Sequence, residues 1–229
     1  MQASLSTIFI VSSDPEVRRE LGRVAAVGVF QVVLFASAVE HLACVKPDRP
    51  VAHVIDVHLS DMDGLALQTM IPRTEGVVVV AQRADVGSLV QAFKSGAIDF
   101  LTMPADDSSL LGAMQSAVAH SESKRLEQQW LGSLQQRWSD LTAREREVLQ
   151  LTVSGCLNKQ VAAELGISEI TVKAHRGRVM SKMHADSFAD LVRMATDLNL
   201  PLIGARHGAR NETPQKRGCS SPSIALQPA

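Results

Sequence analysis

Residues 168–183 read SEITVKAHRGRVMSKM and set Lys173, Arg176, Arg178 and Lys182 against a single acid, Glu169. Cations at helical spacing can act on a polyanion in two ways. They neutralise phosphates, which holds a nucleic acid in register, and they hydrogen-bond base edges, which reads its sequence. Each basic residue taken singly is more simply a solvated surface charge, but their clustering on one helix favours the DNA reading.

Such residues need a helix to present them. Ile170, Val172, Val179 and Met183 supply an apolar stripe at helical spacing. Just upstream, NKQVAAEL over 158–165 predicts a second short helix, ended by Gly166. Two short helices around a tight glycine-containing turn, the second one basic, form a helix-turn-helix pattern, whose second helix would enter the DNA major groove. Residues 141–198 as a whole predict four helices. Thr142 and Glu145 have capping-box spacing, Gly155 would stop the first helix, and Ser168 and Ser187 would cap the third and fourth.

Residues 5–120 have a different rhythm. Short apolar bursts at 8–11, 32–35, 53–56, 77–81 and 99–101 predict strands buried on both faces. Helix-compatible segments lie between and after them, at 16–27, 39–44, 64–70, 86–95 and 108–120. Asp14-Pro15 reads as an N-cap with proline at the first helical position, and Asp85 and Gly96 would bound the fourth helix. Five such units imply an α/β doubly wound parallel sheet, whose ligands bind at the carboxyl ends of its strands. Residues 121–139 carry Leu126, Trp130, Leu134 and Trp138 every fourth position, with Gly132 as a weak point. They predict either an extension of the fifth helix or a helical linker, its stripe buried internally or in a dimer seam. The expected organisation is therefore a domain over 1–120, a helical linker over 121–139, a helical domain over 140–200 and a disordered tail over 201–229.

Composition agrees with two domains. The chain has 229 residues, 45% of them apolar, and a net charge of −1. Residues 1–139 hold 11 Lys/Arg against 15 Asp/Glu, and residues 140–229 hold 12 against 9, so an acidic front precedes a basic back. Cys44, Cys156 and Cys219 have neither metal spacing nor an even framework, which favours free thiols. The N-terminus lacks the basic start of a secretory signal, and no apolar run approaches about 20 residues. A cytoplasmic protein is expected, without membrane contact, cofactor, metal site or independent enzymatic activity.

The block LTAREREVLQLTVSGCLNKQVAAELGISEITVKAHRGRVMSKM closely resembles the LuxR/FixJ/NarL-type DNA-binding domain. IFIVSSDPEVR, VIDVHLSDMDG and SGAIDFLTMP resemble parts of a response-regulator receiver domain, the fold of CheY. Together they make the chain similar to a FixJ-type response regulator over about residues 5–198. That resemblance implies a phosphoacceptor at Asp56 and an aromatic switch at Phe100. It also implies an acidic pair that helps Asp56 hold Mg²⁺, and a hydroxyl and a lysine on the phosphoryl group. Here those four positions read Ser12, Ser13, Ala81 and Met103. A hard cation wants carboxylate oxygens, and phosphoryl transfer depends on positioning and charge neutralisation. The expectation is a degenerate receiver that does not use Asp56, with a sensor kinase a doubtful partner.

On the recognition helix the resemblance assigns Lys173, Ala174 and Gly177 to bases, while Arg176, Arg178 and Lys182 suit phosphates; His175 is assigned no base contact. It further implies homodimers on double-stranded DNA and a second, receiver dimer face at Val86, Val90, Lys94, Ile98 and Asp99, whose apolar positions are equally compatible with core; RNA polymerase or another regulator is a further expected partner. The alternatives are a conventional two-component regulator phosphorylated on Asp56, a protein-interaction antagonist, and a redox or ligand sensor using Cys44 or the emptied pocket.

Overall fold

A computed structural model describes residues 6–83 and 85–201. Beyond Pro201, the expected disordered tail, with Cys219, lies outside the described residues. The chain divides into two compact units between Ser133 and Leu134.

In the first unit, five parallel strands are β1 (Thr7–Val11), β2 (Gln31–Phe35), β3 (Val51–Asp56), β4 (Gly76–Ala81) and β5 (Asp99–Thr102), in the order β2-β1-β3-β4-β5. The helices are α1 (Pro15–Val27), α2 (Ala38–Ala43), α3 (Gly64–Met70), α4 (Val86–Lys94) and α5 (Asp107–Ser139). Alternation along the strands builds two cores. Ile8, Ile10, Ala52, Val54, Val78 and Val80 pack with α1 and the first turns of α5. Phe9, Val11, Ile55, Val77 and Val79 pack with α2, α3 and α4 on the other face. β1, β3 and β4 are buried at every position, so their sequence shows apolar bursts rather than alternation, whereas the edge strand β2 is buried only at Phe35.

Asp14 caps α1 and Asp85 caps α4, and Gly96 takes the left-handed φ of 95° that glycine tolerates. The helix α5 runs unbroken through residues 121–139, with Gly132 inside it. Its apolar period divides: Leu134 is buried and Trp138 packs beside it, whereas Leu126 and Trp130 are exposed.

The second unit holds the end of α5 and α6 (Ala143–Val153), α7 (Asn158–Leu165), α8 (Glu169–Met183) and α9 (Phe188–Asp197). Leu134, Leu141, Leu149, Val179, Met183 and Leu191 form one core cluster; Val148, Leu151, Val161, Ala162 and Val172 form the other. The Thr142–Glu145 capping box is present, and Ser168 and Ser187 cap α8 and α9. Gly166, with φ 64°, turns the chain from α7 into α8. Ile170 departs from the apolar-stripe expectation: it is 81% exposed. It precedes Val172 by two positions, which places the two on different sides of a helix.

Candidate functional site

On α8, Val172, Val179 and Met183 face the core, so the opposite side is fixed by geometry. That side presents Ile170, Lys173, Ala174, Gly177 and Arg178, all exposed. Neither Lys173 nor Arg178 has a hydrogen-bond or ion-pair partner among the described residues. Both cations are therefore free to meet an anion.

Arg176 and Lys182 are engaged within their own unit instead. The Arg176 guanidinium donates to Asn158 Oδ1 at 2.6 Å and lies 5.6 Å from the Phe188 ring centroid. Lys182 Nζ donates to Glu145 Oε2 at 2.8 Å and to the Asp140 carbonyl at 3.1 Å. Glu145 is 3% exposed and also accepts from Thr142 N. The Lys182 hydrogen bond, then that of Thr142, hold its carboxyl below the usual carboxylate range against the effect of burial. Lys182 thus ties the end of α8 to the start of α6. His175 is half-buried, and its Nδ1 is sealed from solvent without a partner among the described residues.

In the first unit, the residues after β1, β3, β4 and β5 converge at the carboxyl edge of the sheet. Asp56 ends β3 and is 4% exposed. Ser12 Oγ donates to Asp56 Oδ2 at 2.7 Å, and Asp56 Oδ1 accepts from His58 N at 3.0 Å. Each carboxylate oxygen therefore has a donor supplied by the chain. Ser13 Oγ lies 3.0 Å from Ser60 Oγ and donates to the Ala36 carbonyl at 3.2 Å. Ala81 and Met103 are buried in the two apolar cores. A Cβ on Gly64 would stand 2.0 Å from the Asp56 carbonyl oxygen, so only glycine permits α3 to start this close behind the acid.

A Mg²⁺ ion does not fit this set. Its carboxylate ligands would reduce to Asp56, already bonded to Ser12. Asp14, the acid that directly follows Ser13, spends Oδ1 on the α1 N-terminus and Oδ2 on Gln82 Nε2 at 3.2 Å. Hydroxyls neither balance a divalent charge nor replace anionic oxygens.

A buried polar chain on the α2 face escaped the sequence reading. His41 Nε2 lies 3.0 Å from His53 Nδ1, and His53 Nε2 lies 2.6 Å from Glu75 Oε2, which also accepts from Lys46 Nζ at 2.6 Å. Phe9 and Phe35 pack edge-on against His41, and Phe9 packs likewise against His53. The one available signal was a histidine inside an apolar strand, VAHVID. On α4, Val86 and Val90 are exposed, whereas Ile98 packs against the core.

The comparisons agree with this two-part layout. Residues 8–115 match the response regulator receiver domain, and residues 139–195 match the bacterial regulatory proteins of the luxR family. Nodulation protein W of Bradyrhizobium diazoefficiens is 39% identical over 203 residues, covering 87% of this chain and 88% of that protein. The transcriptional regulatory protein FixJ of Rhizobium meliloti is 34% identical over 196 residues, covering 82% and 94%. The solved structure of the response regulator StyR superposes with a TM-score of 0.72 at 34% identity, covering 84% of this chain and 99% of that one. No helix among the described residues is long and apolar enough to cross a membrane.

Proposed function

Because this chain belongs to the FixJ/LuxR-type response regulators, DNA-binding transcriptional regulators with a receiver followed by a helix-turn-helix, we propose that it reads a specific DNA sequence without phosphoryl transfer to Asp56. The observation that carries the second half is the buried Ser12 hydroxyl bonded to Asp56 Oδ2 at 2.7 Å. In-line attack on a phosphodonor needs that carboxylate free and a cation to offset the incoming charge. A phosphoryl group brings about −1.5 to −2 charges at neutral pH. With Ser12, Ser13 and Met103 at the positions where the family carries the acidic pair and the lysine, no metal carboxylates or lysine offset them, and Ala81 has no hydroxyl to move inward. The receiver is then held in one state, or biased by a contact other than phosphate.

Incubation with acetyl phosphate and Mg²⁺ is expected to give no Asp56-dependent slow band on a phosphate-affinity gel. Asp56→Ala is expected to leave DNA affinity within twofold in fluorescence anisotropy, roughly 0.4 kcal/mol. An Asp56-dependent band accompanied by tighter DNA binding would establish the conventional phosphorylated regulator instead.

DNA reading is assigned to the outward side of α8. Lys173 suits guanine O6 and N7, Ala174 suits a thymine methyl, and Gly177 brings the backbone close without a side-chain contact. Arg178 suits a phosphate, positioning the helix without specifying sequence. Two copies on one duplex would read two half-sites. Lys173→Ala is expected to lower discrimination between specific and scrambled duplexes by about 1–3 kcal/mol. Arg178→Ala is expected to weaken both alike and reduce the salt slope by ~1. Lys182→Ala, by contrast, removes the charged partner of the buried Glu145 carboxylate, leaving it only the Thr142 N–H, and is expected to destabilise the second unit by about 1–2 kcal/mol. Anisotropy across a salt series and urea unfolding separate the three; equal losses on both duplexes for Lys173→Ala would remove it from the base-reading set.

A further inference from the structure

The most exposed large apolar side chain on α8 is unexplained by packing. Ile170 is 81% exposed in the first turn of a helix whose core contacts come from Val172, Val179 and Met183. From Ile170, Lys173 and Ala174 lie three and four positions on, and Gly177 seven, so all four share the outward stripe. Recognition helices reach base edges mainly with their N-terminal residues, and Ile170 is the first stripe residue after the Ser168 cap. Its hydroxyl-bearing neighbours are occupied locally, since Ser168 Oγ lies 2.8 Å from Thr171 Oγ1 and accepts from Thr171 N.

The stripe's chemistry selects the occupant. Lys173 and Arg178 flank it without protein partners among the described residues, which favours a polyanion over an apolar protein surface. On a major-groove edge the apolar feature is the thymine C5-methyl group. Gly177 offers no side chain at the next turn, so the apolar reading shifts to the N-terminal end, onto Ile170 and Ala174.

We propose that Ile170 is a specificity-determining residue whose side chain packs on a thymine methyl and makes a T·A pair preferred at one position of each half-site. The proposal rests on the DNA-reading function assigned above to α8.

The test uses the full-length chain. Duplexes are selected from a random pool, and each enriched thymine is replaced in turn by uracil, which removes the methyl and keeps every hydrogen-bonding group. At one position of each half-site, uracil is expected to weaken binding about fourfold, the worth of one buried methyl group. Ile170→Ala is expected to bind the thymine duplex correspondingly less well and to lose the distinction between thymine and uracil there, with an unchanged melting temperature.

Ile170→Ala that binds like the wild type, or that still senses the same uracil fully, overturns the proposal. So does a variant with intact DNA binding that fails only in transcription with RNA polymerase, which would place Ile170 against protein. Enrichment of no sequence by the wild type overturns the DNA reading and this proposal with it. Enrichment by the wild type, lost in Lys173→Ala, with Ile170→Ala keeping the full thymine-over-uracil preference at every enriched position, overturns this proposal alone.

Discussion

Acidification from pH 7 to pH 5 is expected to lower the stability of the first unit by about 1–2 kcal/mol through His41 alone, the lower figure allowing for solvent screening, with His53 adding to the loss. The Glu75 carboxylate only accepts hydrogen bonds, so His53 Nε2 carries a proton toward it. His53 Nδ1 then accepts from His41 Nε2, which leaves His41 Nδ1 as a bare acceptor. That atom is buried and has no partner among the described residues. The next proton would therefore arrive where neither water nor an acceptor can solvate it. Burial first, then the charges on His53 and Lys46, push His41 down to about 4 from its ordinary 6.5. Burial also lowers His53, prevailing over the Glu75 hydrogen bond that opposes it. Burial works to raise Glu75, but the hydrogen bonds from His53 and Lys46 hold it below its ordinary value.

The direction of the pH effect follows. Above the unfolded histidine value near 6.5, folded and unfolded chains hold the same protons and the contribution is flat. Below it the unfolded chain binds protons that the native dyad refuses, so stability falls as pH falls, until His41 itself charges near pH 4. Glu75 contributes stability above its ordinary value of 4.5, and that contribution is lost below it. Urea unfolding at pH steps from 7.5 to 5 measures the slope. The double variant His41→Leu/His53→Leu is expected to flatten it. An unchanged slope in that variant would assign the acid sensitivity to other groups.

Much of this architecture was legible because two-sided burial forces apolar bursts and caps force particular residues at helix ends. Strand centres and the capping residues Asp14, Asp85, Thr142, Ser168 and Ser187 were readable for those reasons. Strand β3 was read short at its start, since His53 breaks the apolar run and hides Val51 and Ala52. That histidine is tolerated only through partners distant in sequence, His41 and Glu75, which no local pattern announces. The same limit applies to the candidate sites. Residue types alone put Arg176 and Lys182 with the DNA-facing cations, but Asn158, Phe188 and Glu145 engage them, and those contacts exist only once the helices have packed. The substitutions at Ser12, Ser13, Ala81 and Met103 were visible in sequence; the hydrogen bond from Ser12 to Asp56 required the fold.

Leu134→Ala is expected to destabilise the second unit by about 2–5 kcal/mol, the cost of removing a fully enclosed leucine and leaving part of its volume empty. Leu134 is 0% exposed and packs in the cluster of Leu141, Leu149, Val179, Met183 and Leu191. Two of those side chains, Val179 and Met183, belong to α8, so a void at Leu134 loosens the seat of the recognition helix. Trp138 packs against the same cluster and supplies a fluorescent probe of it. Leu126, two turns earlier in α5 and 66% exposed, is the control: Leu126→Ala is expected to stay within about 0.5 kcal/mol of wild type. The contrast separates the two readings of the four-residue apolar period. If that period were a dimer seam along its whole length, Leu126→Ala and Leu134→Ala would both shift the association constant in sedimentation. The structure instead makes the end of α5 part of the helix-turn-helix unit's own core, so Leu134→Ala should lower the urea midpoint reported by tryptophan fluorescence while association is unchanged. A Leu134→Ala chain with a wild-type midpoint and weakened self-association would show that the stripe serves a partner copy.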